Sequence, residues 1–408
     1  MDICLTGNKD LQAAAVRRQP QIVAFLQDMV RLRSVNGQQT EAAVAQRIVQ
    51  EAQMLDLPAR LVAQEIERPN VLVELGRGSR AFALIGHMDT VAAGDEAQWT
   101  HAPFGAAIEG QRLYGRGAAD NKAGIACGLY TLALLRDEGL LDPAAGCVVL
   151  AGVVDEESGA GSPLGVRALL DGGHLPLAGA IYTYTSDIVC VGHRGLLRLR
   201  LHARGEAVHS GSEVWSRGEA GINAVTGLAS VLLALEKLKL PAPPHPAFTH
   251  LHFTITPGTL FQGGDFESMV PASAWAMVDA RLLPGQTPED VLAAIETVVR
   301  ETAAQRPGLH VSLEVKNSLP AAAIDSDHLL AQLAAQHAAR FTGRDWPIRG
   351  AGPANEGYML IGAGIPTLCG FGPQGGNAHA PDEWVALPSL PVTVAMYAAI
   401  IHDYLKEN

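Results

Sequence analysis

Three consecutive carboxylates, Asp155-Glu156-Glu157, follow directly on the apolar run 147–154. A short apolar run bounded by polar turn residues reads as a buried strand. Adjacent carboxylates at the end of such a strand repel one another, a cost usually tolerated only where a cation or a proton compensates. Consecutive strand residues point to opposite faces, so one Glu can ligate a metal while its neighbour reaches toward a substrate. A solvated acidic turn is the plainer alternative.

The surrounding pattern supplies a layer that would bury this strand. Residues 70–75 and 81–85 are further short apolar runs, and the helical pattern 124–136 lies between 81–85 and 147–154. That alternation predicts an α/β fold with a parallel component. Upstream, Val44, Ile48 and Leu55 recur at helical spacing behind Thr40 as a candidate cap. Residues 198–203 and 250–256 read as strands of a different sheet. Between them Ile222, Val225, Leu228, Leu232, Leu235 and Leu238 mark a helix that ends before Pro241-Ala242-Pro243-Pro244. A further strand, Ser273–Leu282, leads to Thr287-Pro288-Glu289-Asp290, which opens a helix with Thr at the N-cap and Pro at the first position. This block interrupts the first α/β region, so the expected organisation is 1–192 and 313–408 for one domain and 193–312 for an inserted α+β domain.

With 30 Lys+Arg against 42 Asp+Glu, the formal charge of −12 argues against a phosphate-tracking surface and therefore against a nucleic acid partner. Hydrophobic residues at 48% and charged residues at 18% describe a globular enzyme rather than a disordered chain. Cys4, Cys127, Cys147, Cys190 and Cys369 are scattered and lack C-x-x-C spacing, which disfavours a disulfide framework and a Cys-based zinc site. Buried thiols in a reducing cytoplasm are the expectation. The first residues lack the basic and apolar regions of a secretory signal, and no uncharged apolar run approaches the ~20 residues of a membrane span. A soluble, cytoplasmic protein with no membrane partner is expected.

Three more motifs carry chemistry. Gly86-His87-Met88-Asp89 closes the apolar run 82–85, and alternation puts His87 and Asp89 on one side, where an imidazole can bind metal while the carboxylate fixes the ring. Gly115-Arg116-Gly117-Ala118-Ala119-Asp120-Asn121-Lys122 brings Asp120 to the start of a helix, where simple capping is the alternative. Gly375-Gly376-Asn377-Ala378-His379-Ala380-Pro381-Asp382-Glu383 presents His379 on a Gly-rich loop near the C-terminus.

Taken together and in this order, the motifs resemble those of the di-zinc amidohydrolases and metallopeptidases that include acetylornithine deacetylase, succinyl-diaminopimelate desuccinylase, aminoacylase and the glutamate carboxypeptidases. The resemblance runs from about Gln21 to Tyr404. It implies a zinc-peptidase-like catalytic domain, a mixed central sheet flanked by helices, interrupted by a lid and dimerisation domain. It also implies that His87 binds one Zn2+, Asp120 bridges two, Glu157 and His379 complete the metal ligands, Asp89 orients His87, and Glu156 is the general base. Co2+ is a plausible substitute metal. Two cations bridged by a carboxylate sit ~3.5–4 Å apart and acidify a shared water. In the inserted domain, Ala207-Val208-His209-Ser210-Gly211 resembles the segment whose imidazole stabilises the oxyanion in the other subunit's site. Asp279-Ala280-Arg281 resembles the segment whose arginine pairs with a substrate carboxylate. A homodimer is the implied unit.

The chain departs from that pattern in three places. Thr183-Tyr184-Thr185 stands where the family has Glu-Pro-Thr, whose acid completes a metal site; Asp187, four residues on, is the candidate substitute ligand. Ser268 replaces an Asn before Met269-Val270-Pro271, and Ala354-Asn355 replaces a Ser-Asp pair, leaving Asn355 as a candidate substrate contact. The expected activity is cleavage of an amide bond in a small N-acyl amino acid or dipeptide-like substrate with a free carboxylate. An aminopeptidase of the same architecture and a metal-depleted amino-acid binder are the alternatives.

Overall fold

The apolar run 82–85 lies inside the strand Arg80–His87, in a six-stranded sheet ordered Ala59–Val62, Asn70–Gly76, Gly146–Val153, Arg80–His87, Gly179–Tyr182, Thr367–Leu368. This computed structural model describes residues 6–175 and 178–407; Cys4 lies outside them. Arg80–His87 and Gly146–Val153 are buried almost from end to end, as expected of strands covered on both faces. They pair in parallel, with His87 opposite Val153, and Gly179–Tyr182 continues the parallel set with Tyr182 opposite Ile85. The chain segments that follow all three strands therefore leave the sheet at the same edge, side by side. That edge of an α/β sheet is where ligands bind.

The helix Ala123–Asp137, apolar on all sides, covers this sheet and packs against the C-terminal helix Ser389–Glu407. Its approach is close: a Cβ on Gly124 would lie 2.0 Å from the carbonyl oxygen of Thr183, so only glycine fits there. A small antiparallel sheet, Gly375–Gly376, Trp384–Ala386, Arg112–Tyr114 and Ala107–Glu109, carries the His379 loop between its first two strands. The helix expected behind Thr40 runs Ala42–Met54, with Glu41 at its N-cap and no side-chain cap, because the Glu41 carboxylate is taken by Arg68.

The chain divides into two units, one comprising everything up to Gly192 with Ala323–Ala351 and Asn355–Asn408, the other His193–Ala322 with Gly352–Ala354. The boundary expected at 312 falls inside the strand His310–Leu319, which pairs with Gly195–Arg204 along its length and so belongs to the second unit. That unit is an antiparallel sheet ordered Thr254–Gly263, Ser273–Leu282, Gly195–Arg204, His310–Leu319. The strand expected over 250–256 begins at Thr254 and continues to Gly263.

The inward residues Leu197, Leu199, Leu201, Ala276, Val278 and Ala280 alternate at period two. They meet Leu228, Val231 and Leu235 of the helix Ala224–Leu235 and Val291, Ile295 and Val299 of Pro288–Ala303. The Thr287 hydroxyl accepts from Asp290 N at 3.1 Å and donates to its carboxylate at 2.7 Å, a reciprocal cap with Pro288 in the first turn. Thr287→Ala is expected to lower unfolding stability by about 1 kcal/mol, read from a denaturant titration; no loss would show the cap to be idle.

Candidate metal centre

His87 ends its strand fully buried. Its Nδ1 lies 3.0 Å from the Asp89 carbonyl oxygen and 3.4 Å from Asp89 Oδ1, and its Nε2 lies 2.8 Å from Asp120 Oδ1. A proton on Nδ1, donated to the Asp89 carbonyl, leaves the Nε2 lone pair on the Asp120 side, the arrangement of a ligating imidazole fixed from behind. The Asp89 carboxylate does more than orient the ring. It accepts from Asn36 Nδ2 at 2.7 Å and from the backbone N–H groups of Glu156 and Glu157 at 3.3 and 2.9 Å. Burial works against its charge, yet the bonds from His87, Asn36 and Glu157 prevail and hold its pKa below the usual carboxylate value.

The three consecutive acids go to three different partners. Asp155, in the left-handed region at φ 66°, pairs with Arg68 Nη1 at 2.9 Å and accepts from Asn36 at 2.8 Å. Glu156, buried, takes a hydrogen bond from the Tyr184 hydroxyl on Oε1 at 3.0 Å. Glu157 faces His379, with Oε1 3.0 Å from Nε2. The segment 156–158 is a short helical turn, not a continuing strand, so a turn rather than strand alternation separates the two Glu side chains. Burial, reinforced by Glu157, Asp120 and Glu356 against the pull of His87, pushes the Glu156 pKa well above the carboxylate range.

Asp120 lies in the turn Ala118–Lys122. A carboxylate at the end of the His379 loop holds that turn: buried Glu383 accepts from Ala119 N (2.8 Å), Asp120 N (2.9 Å) and Gly117 N (3.1 Å) and pairs with Arg116 Nη1 at 2.5 Å. Asp120 therefore does not cap the helix; its carboxylate turns to His87 and, through Oδ2 at 3.3 Å, to His379. His379 stands on the loop at φ 62°, about half exposed, and its bonds to Asp120 and then Glu157 lift its pKa to about 10. Asp120, Glu157 and His379 offer donor atoms that all lie within 4.8 Å of one another, as do His87, Glu156 and Glu157. Such concentrated negative charge among imidazoles is the donor set of a divalent cation.

Not every expected residue joins this group. Asp187 is exposed and lines a surface pocket with Arg344, Trp346 and Arg349, so it is not gathered with the other candidate ligands. The Thr183 hydroxyl donates to Ile85 O at 3.0 Å and sits 3.3 Å from Asn121 Oδ1, so it is engaged with the fold. Its neighbour Tyr184 is the side chain that faces His87, with ring centroids 5.7 Å apart. Asn355 is buried, donating through Nδ2 to Cys369 O (2.5 Å) and accepting on Oδ1 from Gly357 N (2.9 Å), so its amide braces the backbone.

His209 and Arg281 belong to the second unit. His209 is exposed, its Nδ1 accepting from Gly211 N at 3.1 Å, and Arg281 pairs with Asp279 at 2.7 and 3.2 Å. Asn36, Arg68, Tyr184 and Glu383 were not singled out by the sequence, although Tyr184 and Glu383 lay inside segments already marked, Thr183-Tyr184-Thr185 and the His379 loop.

Removing Glu383 as Glu383→Ala strands buried Arg116 and is expected to cost about 3–5 kcal/mol in a urea titration; a loss under about 1 kcal/mol would deny the bracing role. Glu356 is fully buried, accepts from the Tyr182 hydroxyl at 3.0 Å, and burial pushes its pKa up to about 8. Its native pKa exceeds the unfolded value, so the folded chain keeps a proton that the unfolded chain has lost. This contribution to stability is present in acid and fades as pH rises from about 5 to 8. Glu356→Gln is expected to flatten that decline, measured as urea midpoints at the two ends of the range; an unchanged decline would place its origin elsewhere.

Residues 83–403 match the model described as peptidase family M20/M25/M40. The chain is 29% identical over 396 residues to the succinyl-diaminopimelate desuccinylase of Methylorubrum populi, covering 94% of this chain and 98% of that protein. Among solved structures it is similar to aminopeptidase PepT of Bacillus cereus, at TM-score 0.74 and 21% identity over 94% of this chain and 98% of that one. It is also similar to the YXEP protein of Bacillus subtilis, described as a dinuclear metal binding peptidase, at TM-score 0.70 and 17% identity over 95% and 98%. These two likenesses concern the fold. The matched stretch takes in every imidazole and carboxylate of the centre from His87 to His379, and the chain belongs to peptidase family M20/M25/M40.

Proposed function

We propose that this metal-dependent hydrolase uses Zn2+ to cleave the amide bond of a small N-acyl amino acid, or of a dipeptide-like substrate, bearing a free carboxylate. The observation that carries the reading is Glu156: a buried carboxylate beside the donor set, held by Tyr184 on one oxygen while Oε2 has no hydrogen bond among the described residues. Asp120, Glu157 and His379, with His87 alongside, would hold the cation, which when bound polarises a carbonyl and acidifies water. Glu156 removes the water's proton through Oε2 and returns it to the leaving amine nitrogen. A carboxylate whose pKa is raised by burial suits both halves of that transfer. Asp89 keeps His87 in one tautomer and fixes the turn that carries Glu156 and Glu157.

Support for an anionic substrate comes from the second unit, where Arg198 and Arg281 share the single carboxylate of Asp279 and Arg194 stands close enough to Arg281 to be depressed in pKa by it, after burial. Arg281 is the proposed partner of the substrate carboxylate. His209, exposed on its loop, is proposed to stabilise the oxyanion in the site of a second subunit. The edge strand Thr254–Gly263 leaves Leu260 and Phe261 exposed, with Phe266 beyond it, which favours a homodimer built on this unit. The relatives' desuccinylase activity makes an N-succinyl amino acid the first substrate to try. The free thiols Cys127, Cys147, Cys190 and Cys369 fit a cytoplasmic enzyme, and among the described residues no helix is long and apolar enough to cross a membrane.

A screen of N-succinyl, N-acetyl and N-carbamoyl amino acids and dipeptides, with and without the carboxylate, tests the substrate class. Activity should vanish with a chelator and return with Zn2+ or Co2+. Glu156→Gln should lower kcat by about 10²–10⁴ while bound metal, measured by mass spectrometry, is unchanged. Full turnover by that variant would remove Glu156 as the base, and equal cleavage of substrates lacking a carboxylate would remove the proposed class.

A further inference from the structure

The donors of the centre divide unequally. A catalytic zinc site needs three protein ligands with a position left open, and tetrahedral bonds of about 2.0–2.1 Å place donor atoms roughly 3.3 Å apart. His379 Nε2 already lies 3.3 Å from Asp120 Oδ2 and 3.0 Å from Glu157 Oε1. That side has its three ligands, with both separations from His379 near that value and the two carboxylate oxygens within 4.8 Å of each other.

The His87 side has Nε2 and Asp120 Oδ1, and then runs out. Thr183, which follows the adjoining parallel strand, has given its hydroxyl to the Ile85 carbonyl. Tyr184, the side chain that does face His87, is a phenol committed to Glu156. Asp89 stands behind the ring on the Nδ1 side, its oxygens occupied by Asn36 and by the N–H groups of Glu156 and Glu157. Glu156 itself is the one remaining donor within reach. Recruiting its free Oε2 would leave the Tyr184 bond on Oε1 in place but take the oxygen that acts as the base, and its other companion, Glu157, already serves the His379 side.

We infer that the centre binds one divalent cation tightly, between Asp120, Glu157 and His379, and that its His87 side lacks the donors for a second. His87 is then a positioning residue and not a ligand: with an N–H on each ring nitrogen it donates through Nδ1 to the Asp89 carbonyl at 3.0 Å and through Nε2 to Asp120 Oδ1 at 2.8 Å. This inference rests on the metal-dependent reading above and changes its stoichiometry, in contrast to the dinuclear Bacillus subtilis protein of the same fold.

The test is metal content. The purified full-length chain is stripped with a chelator, loaded with excess Zn2+, passed through gel filtration and analysed by mass spectrometry, with affinity measured against a competing chromophoric chelator. About one equivalent should remain on the wild-type chain and under about 0.2 on His379→Ala, while His87→Gln keeps about one at an affinity within roughly tenfold. Two equivalents of similar affinity on the wild-type chain would overturn the inference, as would loss of the cation in a His87→Gln variant whose circular dichroism is native. The wild-type stoichiometry decides the matter even if a variant fails to fold. No equivalent at all on the wild-type chain would instead overturn the metal-dependent reading.

Discussion

The buried carboxylate of Asp89 is the constraint from which the rest of the centre follows. One oxygen pair binds, at once, the ring of His87, the amide of Asn36 and the backbone N–H groups of Glu156 and Glu157. Those contacts join the end of one parallel strand to the turn after its neighbour, two segments that register alone would leave adjacent but free to diverge. A carboxylate in so dry a place is tolerated because it accepts charge-assisted bonds from several sides. Its ionisation is thereby favoured, and the turn that carries the proposed base and one ligand is held without a metal.

A second buried carboxylate works in parallel. Glu383 accepts from three backbone N–H groups, those of Gly117, Ala119 and Asp120, in the turn that presents Asp120, and neutralises Arg116. The acidic composition of the chain thus serves two tasks at this edge of the sheet: some carboxylates shape backbone, and others are left to face His87 and His379. The first kind is satisfied by N–H groups and arginines, the second only by imidazoles, which is the physical difference between a structural acid and a ligand.

Much of the centre was legible because apolar runs mark buried strands and chemistry collects where they stop. His87, Asp120, Glu156, Glu157 and His379 each lie at a strand end or Gly-rich turn, and the structure brings them together. The divergence of Glu156 from Glu157 was expected for the wrong reason, since a turn rather than an extended strand separates them. Asp187 was expected near the metal on sequence distance, but the chain carries it out to the surface once Tyr184 has passed the site. Asn355 matched a motif by position, yet burial commits both ends of its amide to backbone. Tyr184 and Glu383 left no separate signal, since a tyrosine or glutamate in isolation says nothing of which distant backbone it will meet.

Sequence alone determined the element types and the identity of the donors, because periodicity of two or 3.6 is a local property and imidazoles and carboxylates ligate wherever they are placed. Only the tertiary structure decided which of them share a site. Parallel pairing aligned three strand ends at one edge, and long-range hydrogen bonds from Asp89, Glu383 and Tyr184 set which oxygen atoms are spent on the fold and which remain for a cation. That division depends on contacts between residues far apart in the chain, where no local pattern records the partner.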